Sequence, residues 1–359
     1  MFKTKFLTRT IVTVMTVFML ALSGVSPALA AGNDNFADAT PINSLPYNTN
    51  ADTTGATFEV DEPANCNVGY PLKTVWFAYT PSADVSLTAR VNYSGFPTLL
   101  AVYTGNLLNS LTQISCAYYY NNATFQAYAG TTYYFQMSSF YDFYEGIIPF
   151  SLEATPPPQV YINYYPSDPS IFDNVSFGAS ISDPAGIYGN TYAWTISDGA
   201  TSDQGNFNHQ FAADGDYTAN LTFTTYDGRS ASASQVVHVR TKDVAITTFS
   251  IPQTARVNQT KTINVNIQNK RYSDYVQVTL YKGLPGGGEQ VIGTLTIYVP
   301  AKAKQSTTFK FSYTFTSEDA VIGKVTFRAV ANIVNGRDAL PADNTSIGTT
   351  VIGGPVSYP

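Results

Sequence analysis

Along most of this chain apolar and polar residues alternate with a period of two, the pattern of strands that bury one face and wet the other. Residues 192–239 carry it most clearly. Tyr192, Trp194 and Ile196 alternate with Ala193 and Thr195, and Tyr217, Ala219, Leu221 and Phe223 alternate with Thr218, Asn220 and Thr222. Between these runs stand Asp198-Gly199, Asp214-Gly215 and Asp227-Gly228. There the acid can hydrogen-bond its own backbone while glycine tolerates positive φ, so each pair predicts a turn.

The same period appears on either side. Upstream, the strand candidates are Thr74–Tyr79, 86–93 with Leu87, Ala89, Val91 and Tyr93 on one face, 99–103 and 131–137; nothing there has a helical period. Residues 160–164 and 174–179 supply two more strands, and Asp183-Pro184-Ala185-Gly186 a turn. Downstream, Ile263, Val265 and Ile267 alternate with Thr262, Asn264, Asn266 and Gln268, and the pattern returns at Val276, Val278 and Leu280 and at Phe309, Phe311, Tyr313 and Phe315. The run GLPGGG at 283–288 reads as a hairpin tip.

These runs predict an all-β chain of three tandem sandwiches, immunoglobulin-like or jelly-roll-like, each of roughly 110 residues. The expected boundaries are 31–154, 159–241 and 242–352. Thr155-Pro156-Pro157-Pro158 reads as a stiff, extended spacer at 155–158, and 353–359 as a disordered tail. Residues 1–30 read as a cleaved signal peptide: Lys3, Lys5 and Arg9 precede an apolar run over 11–22, too short to span a bilayer, and Ala28-Leu29-Ala30 supplies small residues for cleavage. The expectation is therefore a secreted or cell-surface protein with no membrane insertion after cleavage.

Charge narrows the partners. Removing residues 1–30 takes away three cations and no acid, moving the net charge from −6 to −9, which excludes nucleic acid and anionic lipid as partners. Charged residues make up 12% of the chain and aromatics 14%, so Thr, Ser, Asn and Tyr must cover much of the surface, as suits exported β-proteins. Cys66 and Cys116, an even pair in an exported chain, are expected to form a disulfide.

Several motifs carry resemblances. NDNFADATPI at Asn33, TTGATFEVDEP at Thr53, TVWFAYTP at Thr74, LLAVYTG at Leu99 and AGTTYYFQM at Ala129 together resemble the bacterial pre-peptidase C-terminal family of extracellular sandwiches. That resemblance implies a non-catalytic module appended to secreted proteins, often hydrolases. Pro97-Thr98 replaces the family's common Asp-Thr, and residues 117–122 replace an acidic turn, so no metal site is carried over. AWTISDGATS, NHQFAADGDYTANLTFTTYDG and QVVHV resemble a polycystic kidney disease (PKD) domain, through Trp194, Asp198-Gly199, His209, Phe211, Gly215, Tyr217 and Asp227-Gly228. Here Thr195-Ile196-Ser197 replaces the usual Asp-Phe-Gly. DVAITTFSIP, KTINVNIQN, VTLYKG and FRAVANIVNGRDALPADNTS resemble the CARDB type, a cell-adhesion-related domain of bacteria.

Catalytic chemistry has little to build on. His209 and His238 are the two histidines; the first is expected to serve a structural hydrogen bond and the second to face solvent. HExxH, GxSxG, a phosphate loop and CxxC are all missing from the sequence. The acids stand in turns rather than as paired carboxylates, so no enzyme and no cofactor is expected. Calcium is the one cation the loops would suit, through Asp214 with Asp216 or Asp338 with Asp343 and Asn344, although neither group has EF-hand spacing.

The aromatic runs at 118–120 and 140–144 hold more rings than one sandwich face can hide. Tyr119, Tyr120, Phe140, Tyr141, Phe143 and Tyr144 are accordingly the candidate ligand-binding residues, suited to sugar faces or protein contacts; ordinary surface packing is the alternative. The expected function is extracellular adhesion or binding of polysaccharide or protein. The alternatives are a structural spacer or self-assembling envelope component that associates with its own copies, and an accessory subunit of an extracellular hydrolase.

Overall fold

A computed structural model describes residues 32–64, 66, 72–92, 94–119, 121–186 and 190–353. Residues 1–30, expected to be a signal peptide, lie outside the described residues, as do Tyr93, Tyr120 and the residues from Gly354. The regular structure of the described residues is almost entirely strand and forms three sandwiches of two sheets each.

In the first sandwich the strands are β1 (Thr40–Pro41), β2 (Tyr47–Asp52), β3 (Thr74–Tyr79), β4 (Val85–Val91), β5 (Thr98–Thr104), β6 (Thr112–Tyr118), β7 (Asn122–Ala127), β8 (Tyr133–Ser139) and β9 (Ile147–Ala154). They build a five-stranded sheet, β1-β3-β8-β5-β6, and a four-stranded sheet, β2-β9-β4-β7. Leu87, Ala89, Phe135, Met137, Ile148 and Phe150 fill the space between. β8 starts two residues later than the pattern predicts, because Gly130 adopts a positive φ and Thr131 donates its N–H to the Tyr128 carbonyl in a turn.

In the five-stranded sheet the central strands have no wet face: β3, β5 and β8 are buried almost throughout. The outer face carries a second small core of Trp76, Leu99, Ala101, Tyr103, Leu72 and Cys66. A cover lies over it, built from the described residues of the N-terminal segment and from residues 57–64 and 66. Asn33 exchanges two hydrogen bonds with the Trp76 backbone, and Phe36 meets the Trp76 ring edge-on at 5.3 Å. Glu62, buried under the cover, accepts from the Thr74 hydroxyl (2.5 Å), the Gln136 amide (2.7 Å) and the Glu59 N–H (2.8 Å). Burial pushes its carboxyl above the usual range. The expected Cys66–Cys116 disulfide pins the far end of the cover to β6, where the Tyr118 hydroxyl also donates to the Cys66 carbonyl at 2.7 Å.

The second sandwich comprises β10 (Gln159–Tyr165), β11 (Val175–Ser182), β12 (Asn190–Ile196), β13 (Thr201–Ser202), β14 (Asn206–His209), β15 (Gly215–Thr225) and β16 (Ser230–Val239), in sheets β10-β11-β14 and β13-β12-β15-β16. Trp194 is buried as the alternation predicts, and it packs with buried Phe211 around Phe177. The indole N–H of Trp194 is satisfied by the Gln204 carbonyl at 2.8 Å.

The third sandwich comprises β17 (Val244–Ser250), β18 (Thr254–Arg256), β19 (Thr260–Asn269), β20 (Asp274–Gly283), β21 (Glu289–Val299), β22 (Ser306–Thr314), β23 (Lys324–Ile333) and β24 (Thr345–Gly353), in sheets β17-β19-β22 and β18-β24-β23-β20-β21. Ile263, Val265, Ile267, Val276, Val278, Leu280 and Phe309 have no exposed surface. A short helix, α1 (Ser317–Ile322), follows β22. Thr316 and Asp319 form a reciprocal capping box at its start, and Gly323 in the left-handed region ends it.

The described residues divide into two compact units. One holds those of Met1–Gln159 with Ser182–Asn190 and Thr224–Ala231; the other holds those of Val160–Ile181, Thr191–Phe223 and Ser232–Pro359. Inside the first unit the expected spacer is no free linker. Thr155 is buried, with its N–H on the Ser86 carbonyl and its hydroxyl on Thr88, and Pro158 is buried too. Arg229 donates to the Pro156 carbonyl (2.7 Å), to both Asp183 oxygens (2.6 and 2.8 Å) and to Asp227 Oδ2 (2.6 Å), which also accepts from the Ser86 hydroxyl (2.5 Å). The Asp227-Gly228 turn predicted from sequence is therefore also the seat of a buried ion network. Burial pushes the Asp227 carboxyl up, but Arg229, Ser86 and Thr225 outweigh it and hold the net value below the usual range.

Two outcomes follow for stability. A Cys66→Ser/Cys116→Ser variant opens a loop closed over 50 residues of chain, and should lose about 4 kcal/mol in urea unfolding of the first unit. Arg229→Ala strands Asp183 and Asp227 without their cation and should cost about 3–5 kcal/mol at neutral pH. Because the folded Asp227 value is depressed, its contribution is present above the unfolded value near 4 and is lost as pH falls through the folded one. The gap between wild type and Arg229→Ala should therefore narrow in urea titrations below about pH 4.

Candidate functional site

Three chain reversals meet at one end of the first sandwich: the exit of β6, the entry to β5, and the loop from β8 to β9. At the first, Tyr119 sits in the left-handed region at φ 60°, a conformation disfavoured for an aromatic residue. Thr98 holds it there from both sides: the Tyr119 N–H donates to the Thr98 carbonyl at 2.8 Å, and the Thr98 hydroxyl donates to the Tyr119 carbonyl at 3.0 Å. At the second, Ser94 Oγ donates to the Phe96 carbonyl. At the third, the Ser139 hydroxyl reaches the carbonyls of both Tyr141 and Tyr144, folding the loop onto itself, and the Phe140 N–H donates to the Pro97 carbonyl.

The side chains form one continuous series of ring contacts. Tyr119 stacks on Phe140 at 5.8 Å, Phe140 meets Tyr141 edge-on at 5.0 Å, and Tyr141 stacks on Phe143 at 5.3 Å with 14° between the planes. Phe143 then tilts against Tyr144 at 4.6 Å, and Tyr144 stacks on Phe96 at 5.8 Å. Gly146, at φ 140°, closes the loop; a Cβ there would stand 3.6 Å from the Phe96 ring. Five of the six predicted ligand-binding residues are thus brought together, and Tyr120 lies outside the described residues. Phe96 is the member sequence reasoning missed.

Exposure divides the cluster into base and face. Phe140 packs on the small core of Trp76 and Tyr103, whereas Phe143 is 70% exposed and Tyr119, Tyr141 and Tyr144 are 38–43% exposed. Charge is low. Glu145 at the loop's end is bound by the Lys73 ammonium and the Gly55 N–H, and the Lys73 contact foremost holds its carboxyl below the usual range. Asp142 is the exposed acid within the loop. The result is flat apolar ring area edged by tyrosine hydroxyls, which suits stacking against the C–H faces of sugars or against apolar side chains.

The other predicted positions lie elsewhere. His209 Nε2 meets Asp198 Oδ2 at 2.7 Å with its ring edge-on to Phe211, and exposed His238 pairs with Asp216 at 2.8 Å. In the loops considered for calcium, Asp214 accepts from Thr241, Tyr272 and Arg271, and Asp338 from the N–H groups of Val244 and Leu340. Among the described residues no three His, Cys, Asp or Glu side chains form a group able to hold a metal ion. No helix among them is long and apolar enough to cross a membrane.

Residues 161–240 match the family model of the PKD domain. No curated protein matches the sequence. Among solved structures, the chain is similar to dimeric latent PorU from Porphyromonas gingivalis at 13% identity and TM-score 0.21, over 77% of this chain and 32% of that one. It thus spans about a third of PorU. It is also similar to a tetra-tandem repeat in the extending region of a large adhesion protein (14% identity, TM-score 0.26, 75% of each chain). A third is the Yersinia pseudotuberculosis adhesin InvE (14%, TM-score 0.22, 54% of this chain and 58% of that one). At such identities and TM-scores these neighbours assign the chain no activity.

Base and face should separate on mutation. Phe143→Ala removes an exposed ring and should change stability by less than about 0.5 kcal/mol. Phe140→Ala uncovers the small core and should cost about 2 kcal/mol, less than a fully buried phenylalanine. Thermal and urea unfolding of the two variants checks the split.

Proposed function

We propose that this chain is an exported, non-catalytic binding protein whose first sandwich presents the aromatic cluster to extracellular polysaccharide. The observation that carries the reading is the unbroken series of ring contacts from Tyr119 to Phe96, with Phe143 standing 70% exposed on a loop fixed by its own hydrogen bonds. A ring left that open costs solvation free energy unless something covers it. Pyranose rings offer apolar C–H faces of matching size, and the tyrosine hydroxyls can reach their hydroxyl groups. Low local charge favours a neutral glycan over an ionic one.

Export belongs to the same proposal. The segment 1–30 has the organisation of a signal peptide, and the Cys66–Cys116 bond suits an oxidising compartment. The PKD match and the resemblance of the outer sandwiches to pre-peptidase C-terminal and CARDB modules fit a surface or secreted assembly of binding modules.

The test is a glycan array followed by titration calorimetry on the hits. Wild type should bind a neutral polysaccharide, and Tyr141→Ala/Phe143→Ala should weaken binding at least tenfold, a loss of about 1.4 kcal/mol or more. Absence of any glycan binding, or binding untouched by the double variant, removes the reading; a protein captured through the same residues replaces glycan by an apolar peptide surface.

A further inference from the structure

Strand β21 ends its sheet: among the described residues its one strand neighbour is β20, so the opposite row of backbone N–H and C=O groups along eleven residues has no strand partner. Such an edge is a template for another strand, and proteins ordinarily block it with short length, a bulge, proline or charge. Several other edges among the described residues are blocked in those ways, and the charge-free edges β7 and β10 are shorter, at six and seven residues. β1 and β13 have two residues each and β18 three, β17 carries a bulge between Ile246 and Thr248, and β22 carries Lys310. β21 has a register shift near Ile292, but from Gly293 to Val299 its pairing with β20 runs without interruption. Residues 290–299 contain neither proline nor any charged residue.

The side chains point to the same edge. Leu295 and Ile297 stand opposite Val278 and Val276 in the ladder and share their core face. Val276 and Val278 have no exposed surface, whereas Leu295 and Ile297 are only half-buried at the sandwich flank. On the outer face Thr294, Thr296 and Tyr298 are exposed. β16, another long edge, lacks this deficit: Val237 and Val239 are fully buried.

We infer that a second copy of this chain docks on β21, pairing antiparallel with the same strand so that two five-stranded sheets become one of ten. A self-paired strand meets itself across a two-fold axis, so its composition decides whether pairing is tolerated. Each copy is acidic overall, with a formal charge of −6 over the full sequence and −9 without residues 1–30. Contact through a charge-free segment sets no like charges directly opposite one another. Pairing satisfies the open backbone row and covers Leu295 and Ile297 with the same residues of the partner copy. One strand pair buries little area, so the dimer is weak and forms at high concentration, as on a crowded surface.

Sedimentation velocity of the purified exported chain over a wide concentration series tests this. The weight-average mass should climb toward that of a dimer. Thr294→Lys/Thr296→Lys, exposed in the single copy but facing its own image across the two-fold axis, should remain monomeric over the whole series while keeping the wild-type melting temperature. Tyr141→Ala/Phe143→Ala should dimerise as wild type does. A wild type that stays monomeric to its solubility limit overturns the inference. So does a lysine variant that still dimerises, or association lost in the aromatic variant alone, which would place the contact on the first sandwich.

Discussion

The first sandwich depends on covering the outer face of its five-stranded sheet. Trp76, Leu99, Ala101 and Tyr103 point away from the main core, and bare in water they would cost several kcal/mol. The cover is irregular chain, which has little strand pairing to hold it, so specific bonds substitute. Asn33 on the Trp76 backbone, Glu62 among three donors and the Cys66–Cys116 disulfide fix it at its start, middle and end. The aromatic cluster inherits that order: Phe140 packs on the small core beneath the cover, and Tyr119 stacks on Phe140. A cover that loosened would take away the floor on which the exposed rings stand.

What was legible in the sequence follows from how locally each feature is determined. The sandwiches were readable because strand burial is written in a period of two within a single segment, as in 262–268 and 217–223. The covered sheet was readable in principle, since TVWFAY and TLLAVY are nearly continuous apolar runs of the kind buried on both faces, but the cover itself comes from distant chain. The aromatic cluster was legible where rings adjoin in sequence. Phe96 escaped because it stands alone between Gly95 and Pro97, and only the fold of the 139–146 loop sets it on Tyr144.

The ion pairs illustrate the same limit. Asp227-Gly228 announces a turn, yet nothing adjacent announces that Arg229 will gather Asp183, Asp227 and the Pro156 carbonyl, because those partners are up to 73 residues away. Lys282 and Asp319 form a second buried pair at 2.6 Å, with Tyr313 donating to the same carboxylate at 2.8 Å. Burial alone would push the Asp319 carboxyl up; Lys282, the Thr316 N–H and Tyr313 bring it below the usual range. Such pairs add little net stability over apolar packing, but breaking one side is costly, so they select one arrangement against its competitors. In Asp319 the selection fixes α1, whose capping box uses the same carboxylate.

A surface with few charges has a further consequence for strand edges. Lysine and glutamate are the usual means of keeping edges apart, and with only 12% charged residues this chain must rely on length, bulges and buried side chains instead. Those devices work for β1, β13, β17 and β18, which are too short or too irregular to template a partner. They fail at β21, which has to be long because it completes the sheet over Val276 and Val278 and crosses to β22 at the sandwich flank. Glu289, the one acid of the strand, is already committed to Arg328 and stands at its first residue, leaving the regular stretch from Gly293 to Val299 undefended. The same low charge that surrounds the aromatic cluster thus leaves one edge of the third sandwich without a charged guard. Both follow from a single choice of surface chemistry.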